Sequence, residues 1–317
     1  MSANGQGVLL GLAAFAAFST HDVVIKQLGA AYSPFQIVFF TALLSFPAIT
    51  LILIREREPA TLRPVHPWWM ALRSTSGAIS GLCAFYALGI LPLSQFYAFI
   101  FTSPLLITLM AIPILGETVR LRRGLAVAMG LVGVVIVVRP GAVPLTDGHL
   151  AAFGAALAGS LAAIVVRKIG KSERGVVMVL YPMMTNLAVA AVVLPFVYVP
   201  VPLADFGLLV VDAALVLLAM GLLVAAYSRA EAILVAPMQY SQIVWAVLFG
   251  ILLFGEYPEW QTYAGMAVIV LSGLYILKRE ATGDVSRNTP VLETRTRPGH
   301  GLTLRVGHFL RREDRTP

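Results

Sequence analysis

Charged side chains are scarce in this chain. Asp, Glu, Lys and Arg make up 12% of its 317 residues, about half the share found in a soluble domain. Apolar residues reach 58%, and the mean hydropathy is +0.84. That balance excludes a soluble globular domain, a disordered chain and a nucleic-acid binder, despite a net charge of +7. Cysteine is almost absent. Cys83 stands alone inside an apolar run, which excludes a disulfide framework, a cysteine zinc site and an iron–sulfur cluster. There is no H-E-x-x-H and no phosphate-binding G-x-x-x-x-G-K-[ST] loop, so neither a metal, a cofactor nor ATP hydrolysis is expected. The apolar runs lack the two-residue alternation of outer-membrane barrel strands.

What the chain does have is long apolar runs. A spanning helix needs about 20 mostly apolar residues. The first five such runs are 7–25, 35–54, 70–90, 93–115 and 124–138; the second five are 149–168, 176–198, 207–228, 232–254 and 261–277. Breakers and charge separate them, as at Arg55-Glu56-Arg57-Glu58-Pro59, Leu91-Pro92 and Arg139-Pro140-Gly141. The first run contains Ala14-Phe15-Ala16, which resembles a cleavage site. Its first basic residue is Lys26, so it lacks the basic leader of a signal peptide and is expected to be a retained helix.

Charge sets the expected orientation. With the N-terminus in the cytoplasm, every Lys and Arg except Lys26 and Arg139 falls on the cytoplasmic side, as the positive-inside rule asks. Removing any one span would scatter these clusters over both sides.

The two halves also repeat one another. Gly7, Val24, Lys26 and Gly29 precede Gly148, Val165, Arg167 and Gly170 by 141 residues. Ile114-Leu115-Gly116-Glu117 precedes Leu253-Phe254-Gly255-Glu256 by 139 residues. Five helices is an odd number, so the second copy enters the membrane from the opposite side. The expected fold class is therefore an all-α integral membrane protein of ten transmembrane helices in two inverted five-helix repeats, with both termini inside. The expected domains are 7–140 and 148–280, followed by a disordered basic cytoplasmic tail, 281–317. Inverted repeats are the usual construction of secondary transporters, because one sequence packed in two mirrored ways yields inward-open and outward-open states of similar energy.

The chain resembles the EamA family of the drug/metabolite transporter superfamily. The resemblance is carried by Phe85-Tyr86-Ala87-Leu88 through Pro104 to Gly116-Glu117, and by Ala225-Ala226-Tyr227-Ser228-Arg229 through Ala236-Pro237 to Phe254-Gly255-Glu256. It implies ten helices and a transported metabolite, with amino acids, S-adenosylmethionine, riboflavin and purine-like solutes as candidates, and an inner-membrane, multi-pass location. The expected partners are a small-molecule solute and membrane lipid, and no nucleic acid; a homodimer is left open.

Polar groups at membrane depth are expensive, so each is a candidate for function. His21 and Asp22 lie in the outer half of the first span, and their repeat counterparts are Ala162 and Ala163. They suit a polar or cationic solute group, or a proton. Asp22 is also four residues from Lys26, the spacing of a plain ion pair. The ninth span carries Gln239, Tyr240, Gln242 and Trp245 after Pro237, and the fourth carries Tyr97, Phe101 and Thr102 before Pro104. Both sets are expected to line a path, although inter-helix bonding and packing would use the same residues. Tyr86 and Tyr227 are repeat partners suited to closing opposite ends, and Asn186 lies near mid-depth. Gly77 and Gly81 read as close helix packing, and Glu117 and Glu256 as caps and interface anchors at the two faces.

The leading reading is an importer or exporter of a small organic metabolite working by alternating access. A lipid or lipid-carrier flippase is the alternative, and it would need basic residues within the spans. An intramembrane enzyme would need convergent catalytic groups that the motifs do not supply.

Overall fold

The computed structural model describes residues 3–54, 62–116, 121–139, 144–170 and 172–281. The segment Arg55–Pro59, Glu117, Pro140-Gly141, Lys171 and most of the expected tail lie outside the described residues. Twelve α-helices and no strand are formed by the described residues: α1 (Ala3–Gly29), α2 (Pro34–Ile54), α3 (Pro67–Ile90), α4 (Leu93–Ile100), α5 (Ser103–Leu115), α6 (Leu121–Val138), α7 (Asp147–Ile169), α8 (Gly175–Val197), α9 (Leu203–Arg229), α10 (Ala232–Val235), α11 (Gln242–Phe254) and α12 (Trp260–Ala281). A 3-10 turn, Ala236–Ser241, joins α10 to α11.

Seven described helical stretches are long and apolar enough to cross a membrane. Shorter apolar helices cover Pro34–Ala48 and Gly124–Val138. The helix α3 is long but carries buried Arg73, Ser74, Ser76 and Ser80, which lower its hydropathy. Several serines and threonines turn back to the helix carbonyls that precede them, as Thr20 does to Ala16 and Thr185 to Tyr181. This satisfies a hydroxyl where no water is available.

The helices pair between the halves. Their first and third members exchange partners, α1 running along α9 and α7 along α3. The second members pair as α2 with α8, the fourth as α4 with α11, and the fifth as α6 with α12. That is the pairing a two-fold relation between the halves produces. Lipid offers no hydrophobic incentive for helices to associate, so close packing must supply it. On the α1–α9 seam, Phe15 and Phe18 pack with Val216, Met220 and Leu223. Between α6 and α12, a Cβ on Gly133 would sit 2.8 Å from the Gly265 carbonyl oxygen. Between α1 and α3, a Cβ on Gly29 would sit 2.9 Å from the Gly89 Cα.

The glycine that ends the fourth helix of each half has a local cause. Gly116 and Gly255 take φ of +70° and +64°, the left-handed conformation that ends α5 and α11. Glycine reaches it without the Cβ clash other residues meet. The reversal at Gly255 lets the Glu256 amide bond back to the Gly250 carbonyl at 2.8 Å.

Candidate functional site

Two helices are interrupted where the halves meet. The fourth span breaks at Phe101-Thr102, between α4 and α5, and the ninth becomes a 3-10 turn over Ala236–Ser241. Each break comes beside a proline, Pro104 or Pro237, which has no amide hydrogen to give its own helix. Near the first break, Thr102 Oγ1 donates to the Phe99 carbonyl and Ser103 Oγ to the Ile100 carbonyl, each at 2.6 Å. The two interruptions face each other, with the Phe101 and Tyr240 rings 5.3 Å apart. The Tyr97 ring stacks on Phe101 at 5.6 Å.

A polar network sits beside this aromatic junction. The Tyr97 hydroxyl donates to Asp22 Oδ2 at 2.5 Å. Gln242 Nε2 donates to the same hydroxyl oxygen at 3.3 Å, and Ser19 Oγ lies 3.2 Å from it. Helices α1, α4 and α11 thus converge on one phenol. Asp22 is fully buried, and Tyr97 and Gln242 are 1% exposed. A carboxyl group here has no bulk water around it, which calls for a bound partner or a role.

The neighbouring residue on α1 belongs to a second cluster. His21 Nδ1 lies 2.5 Å from Asp212 Oδ1 on α9, and both side chains are fully buried. Thr41 Oγ1, on α2, donates to Asp212 Oδ2 at 2.6 Å. The Phe85 ring meets the imidazole edge-on at 6.1 Å. Histidine and aspartate side chains thus meet in the bundle interior, His21 with Asp212. Asp212, Thr41 and Ser19 were not singled out from the sequence. The signal for Asp212 was present, as a lone carboxylate in the apolar run Val210-Val211-Asp212-Ala213-Ala214-Leu215.

One end of the bundle is tied by ionic contacts. Lys26 Nζ lies 2.9 Å from Glu256 Oε1 and donates to the Leu91 carbonyl at 2.6 Å. Glu256 Oε2 accepts from the Leu93 amide, at the start of α4, at 2.9 Å. An anion at a helix N-terminus is favoured by the unpaired amides there. The four-residue spacing allowed an Asp22–Lys26 pair; Lys26 instead turns to Glu256, while Asp22 turns to Tyr97. Glu256 is more than a cap, because it links α1, α4 and α11. In the turn between α1 and α2, the Tyr32 hydroxyl donates to Asp205 Oδ2, in the first turn of α9, at 2.5 Å, and that carboxylate pushes the phenol up to about 12. Arg139 bonds Glu259 at 2.7 Å and holds its carboxyl below the usual range.

The other sequence candidates sit apart from the Tyr97 network. Thr102 is buried at the break. Gln239 and Trp245 are half-buried, and the Trp245 ring stacks on Phe249 at 5.8 Å. Tyr86 is exposed, Tyr227 packs against the Phe15–Phe18 cluster, and Asn186 is half-buried on α8.

The model of the EamA-like transporter family matches residues 5–139 and again 146–278. The chain belongs to the EamA-like transporter family. It is 25% identical over 262 residues to an S-adenosylmethionine uptake transporter of Rickettsia bellii, covering 83% of this chain and 90% of that one. It is 29% identical over 277 residues to the pseudopaline exporter CntI of Pseudomonas aeruginosa, covering 84% and 94%. A riboflavin transporter of Vibrio cholerae is 29% identical over 225 residues, covering 69% and 74%. A solved crystal structure, 20% identical, superposes with a TM-score of 0.55 over 86% of this chain and 98% of that one, a likeness of fold. With its repeated family match and apolar helices, this EamA-like chain is a multi-pass membrane transporter and not an enzyme.

Proposed function

We propose that the protein moves a small organic cation or zwitterion across the inner membrane by alternating access. Ten helices span the membrane, in repeats 7–140 and 148–280, with both termini cytoplasmic. The observation that carries this reading is the buried Asp22–Tyr97–Gln242 network beside two broken helices at the junction of the halves. Broken helices at an inverted-repeat interface are where such transporters hold their solutes. Asp22 supplies an anion for an ammonium or sulfonium group, Gln242 supplies amide hydrogen bonds, and Tyr97, Phe101 and Tyr240 supply faces for a planar or cationic group. Gln239, Trp245 and Thr102 border the path. With this orientation the Lys26–Glu256 contact closes the periplasmic end.

A soluble solute is favoured over a lipid because the network offers a carboxylate where an anionic headgroup would need basic residues. The test is thermal stabilisation of the purified protein by a panel that includes S-adenosylmethionine, riboflavin and amino acids. A solute at a hundred times its Kd stabilises the folded state by about 2.7 kcal/mol. The hit is then followed into proteoliposomes. A panel in which only anionic solutes stabilise the protein would overturn the cationic reading.

A further inference from the structure

We propose that His21 and Asp212 form a proton-binding site that couples proton movement to the transport cycle, separate from the solute contacts at Asp22, Tyr97 and Gln242. The inference rests on the transporter reading above and adds to it an ion and the residues that hold it.

Four observations carry it. First, the pair joins the halves, since α1 belongs to one repeat and α9 to the other, so a change in the contact acts on their relative position. Second, Asp212 is held on both oxygens, by His21 on one and Thr41 on the other, so α1, α2 and α9 share one carboxylate. Third, the repeat does not need the histidine, because the residue at the matching place is Ala162.

The fourth is charge. Asp22, His21 and Asp212 are all fully buried. With both carboxyls ionised, the three would carry one negative charge with an imidazolium and two with a neutral imidazole. Lys26, one turn along α1, is already matched by Glu256 at 2.9 Å. Buried net charge in a membrane interior is costly, and a proton from water is the smallest ion that relieves it. When the positive end of a solute arrives at Asp22, it takes over that neutralisation and the proton leaves. Proton and solute are thus exchanged at adjacent residues of one helix.

From α9 the facing group is Asp212, and from α4 it is Tyr97, through Asp22. The 3-10 turn brings Tyr240, whose ring is against Phe101. Helices α2 and α11 contain no acidic, basic, tyrosine or cysteine residue. Helix α3 presents Phe85. Its Cys83 looks towards α7, within 3.6 Å of where a Gly154 Cβ would stand, its Tyr86 is exposed, and its Arg73 is more than three turns away.

The test reads the protein itself, so it does not depend on knowing the solute. Full-length protein in weakly buffered nanodiscs is taken from about pH 8 to about pH 5, the interval in which an imidazole changes charge, and bound protons are counted. The parent and Thr41→Val should bind about one proton more than His21→Gln, because Thr41→Val removes an anchor and neither titratable group. Equal counts in all three proteins would overturn the site. Coupling is read from spin labels at Ser33→Cys and Tyr257→Cys on a Cys83→Ser background, near the Lys26 end. The distance distribution should shift with pH in this background and stay in one population with Asp212→Asn. A distribution that ignores pH, or moves equally in both, would overturn coupling. Should Asp212→Asn fail to fold, Asp212→Glu should keep the pH shift and His21→Gln should lose it. If the proton count stands but no solute in the panel stabilises the protein, the solute reading fails and the proton site survives.

Discussion

Lys26 and Glu256 stand 2.9 Å apart although they come from different halves of the chain. They are 10% and 18% exposed, and each also holds a backbone group of the α3–α4 junction, Leu91 O or Leu93 N–H. Breaking the pair therefore strands both a charge and a backbone partner. Lys26→Gln and Glu256→Gln should each destabilise this closed form by about 1–3 kcal/mol. The double variant should lose less than the sum of the two single losses, because both remove the same ion pair. Thermal unfolding in detergent measures the cycle, and full additivity of the two losses would show that the residues do not work as a pair.

Asp22→Asn keeps the shape of the side chain and removes its charge. It should lower solute uptake in vesicles at least tenfold while expression and thermal stability stay near those of the parent. Adding Lys26→Gln should not restore uptake, because Lys26 is committed to Glu256. Recovery in the double variant would make Asp22 half of an ion pair after all.

Gln242 and Trp245 should differ in effect. Gln242 reaches the Tyr97 hydroxyl and is buried, whereas Trp245 is half-buried and stacked on Phe249. Gln242→Ala should reduce initial rates more than Trp245→Ala, and Tyr97→Phe should resemble Gln242→Ala. Initial-rate assays on matched amounts of reconstituted protein decide the order.

Gly255→Ala places a Cβ at φ +64° and should cost about 1–2 kcal/mol, with no cavity formed. Gly133→Leu meets the backbone of α12 directly and should be far more damaging. Comparing the two melting temperatures separates backbone strain from steric exclusion.

The Tyr32–Asp205 contact gives a prediction in pH. The phenol is pushed up from its ordinary 10.0 to about 12 in the folded protein. Its contribution is complete below pH 10 and is lost as pH rises through about 12. Tyr32→Phe should therefore show a shallower alkaline loss of stability than the parent, measured as melting temperature against pH.

Much of the fold was legible because lipid imposes a simple rule on sequence. Apolar length and the helix-ending glycines Gly116 and Gly255 both speak through local chemistry. The polar site was half legible. Tyr97, Gln242, His21 and Asp22 announce themselves by being polar inside apolar runs, but their pairings do not. Neither the His21–Asp212 nor the Lys26–Glu256 contact leaves any spacing in the sequence, whereas the unused Asp22–Lys26 contact has ideal helical spacing.

Cross-pairing of the halves also bears on how the protein is made. Synthesis at about 5–20 residues per second finishes α1 roughly ten to forty seconds before α9 emerges. In that interval His21 lacks Asp212, Lys26 lacks Glu256, and Gly133 lacks the backbone of Gly265 that it will touch. The first half must therefore wait in the bilayer with polar groups and close-packing faces whose partners have yet to be translated. An interrupted chain is left with those groups uncompensated in lipid, and it carries in its own helices the mark by which membrane quality control can recognise it as unfinished.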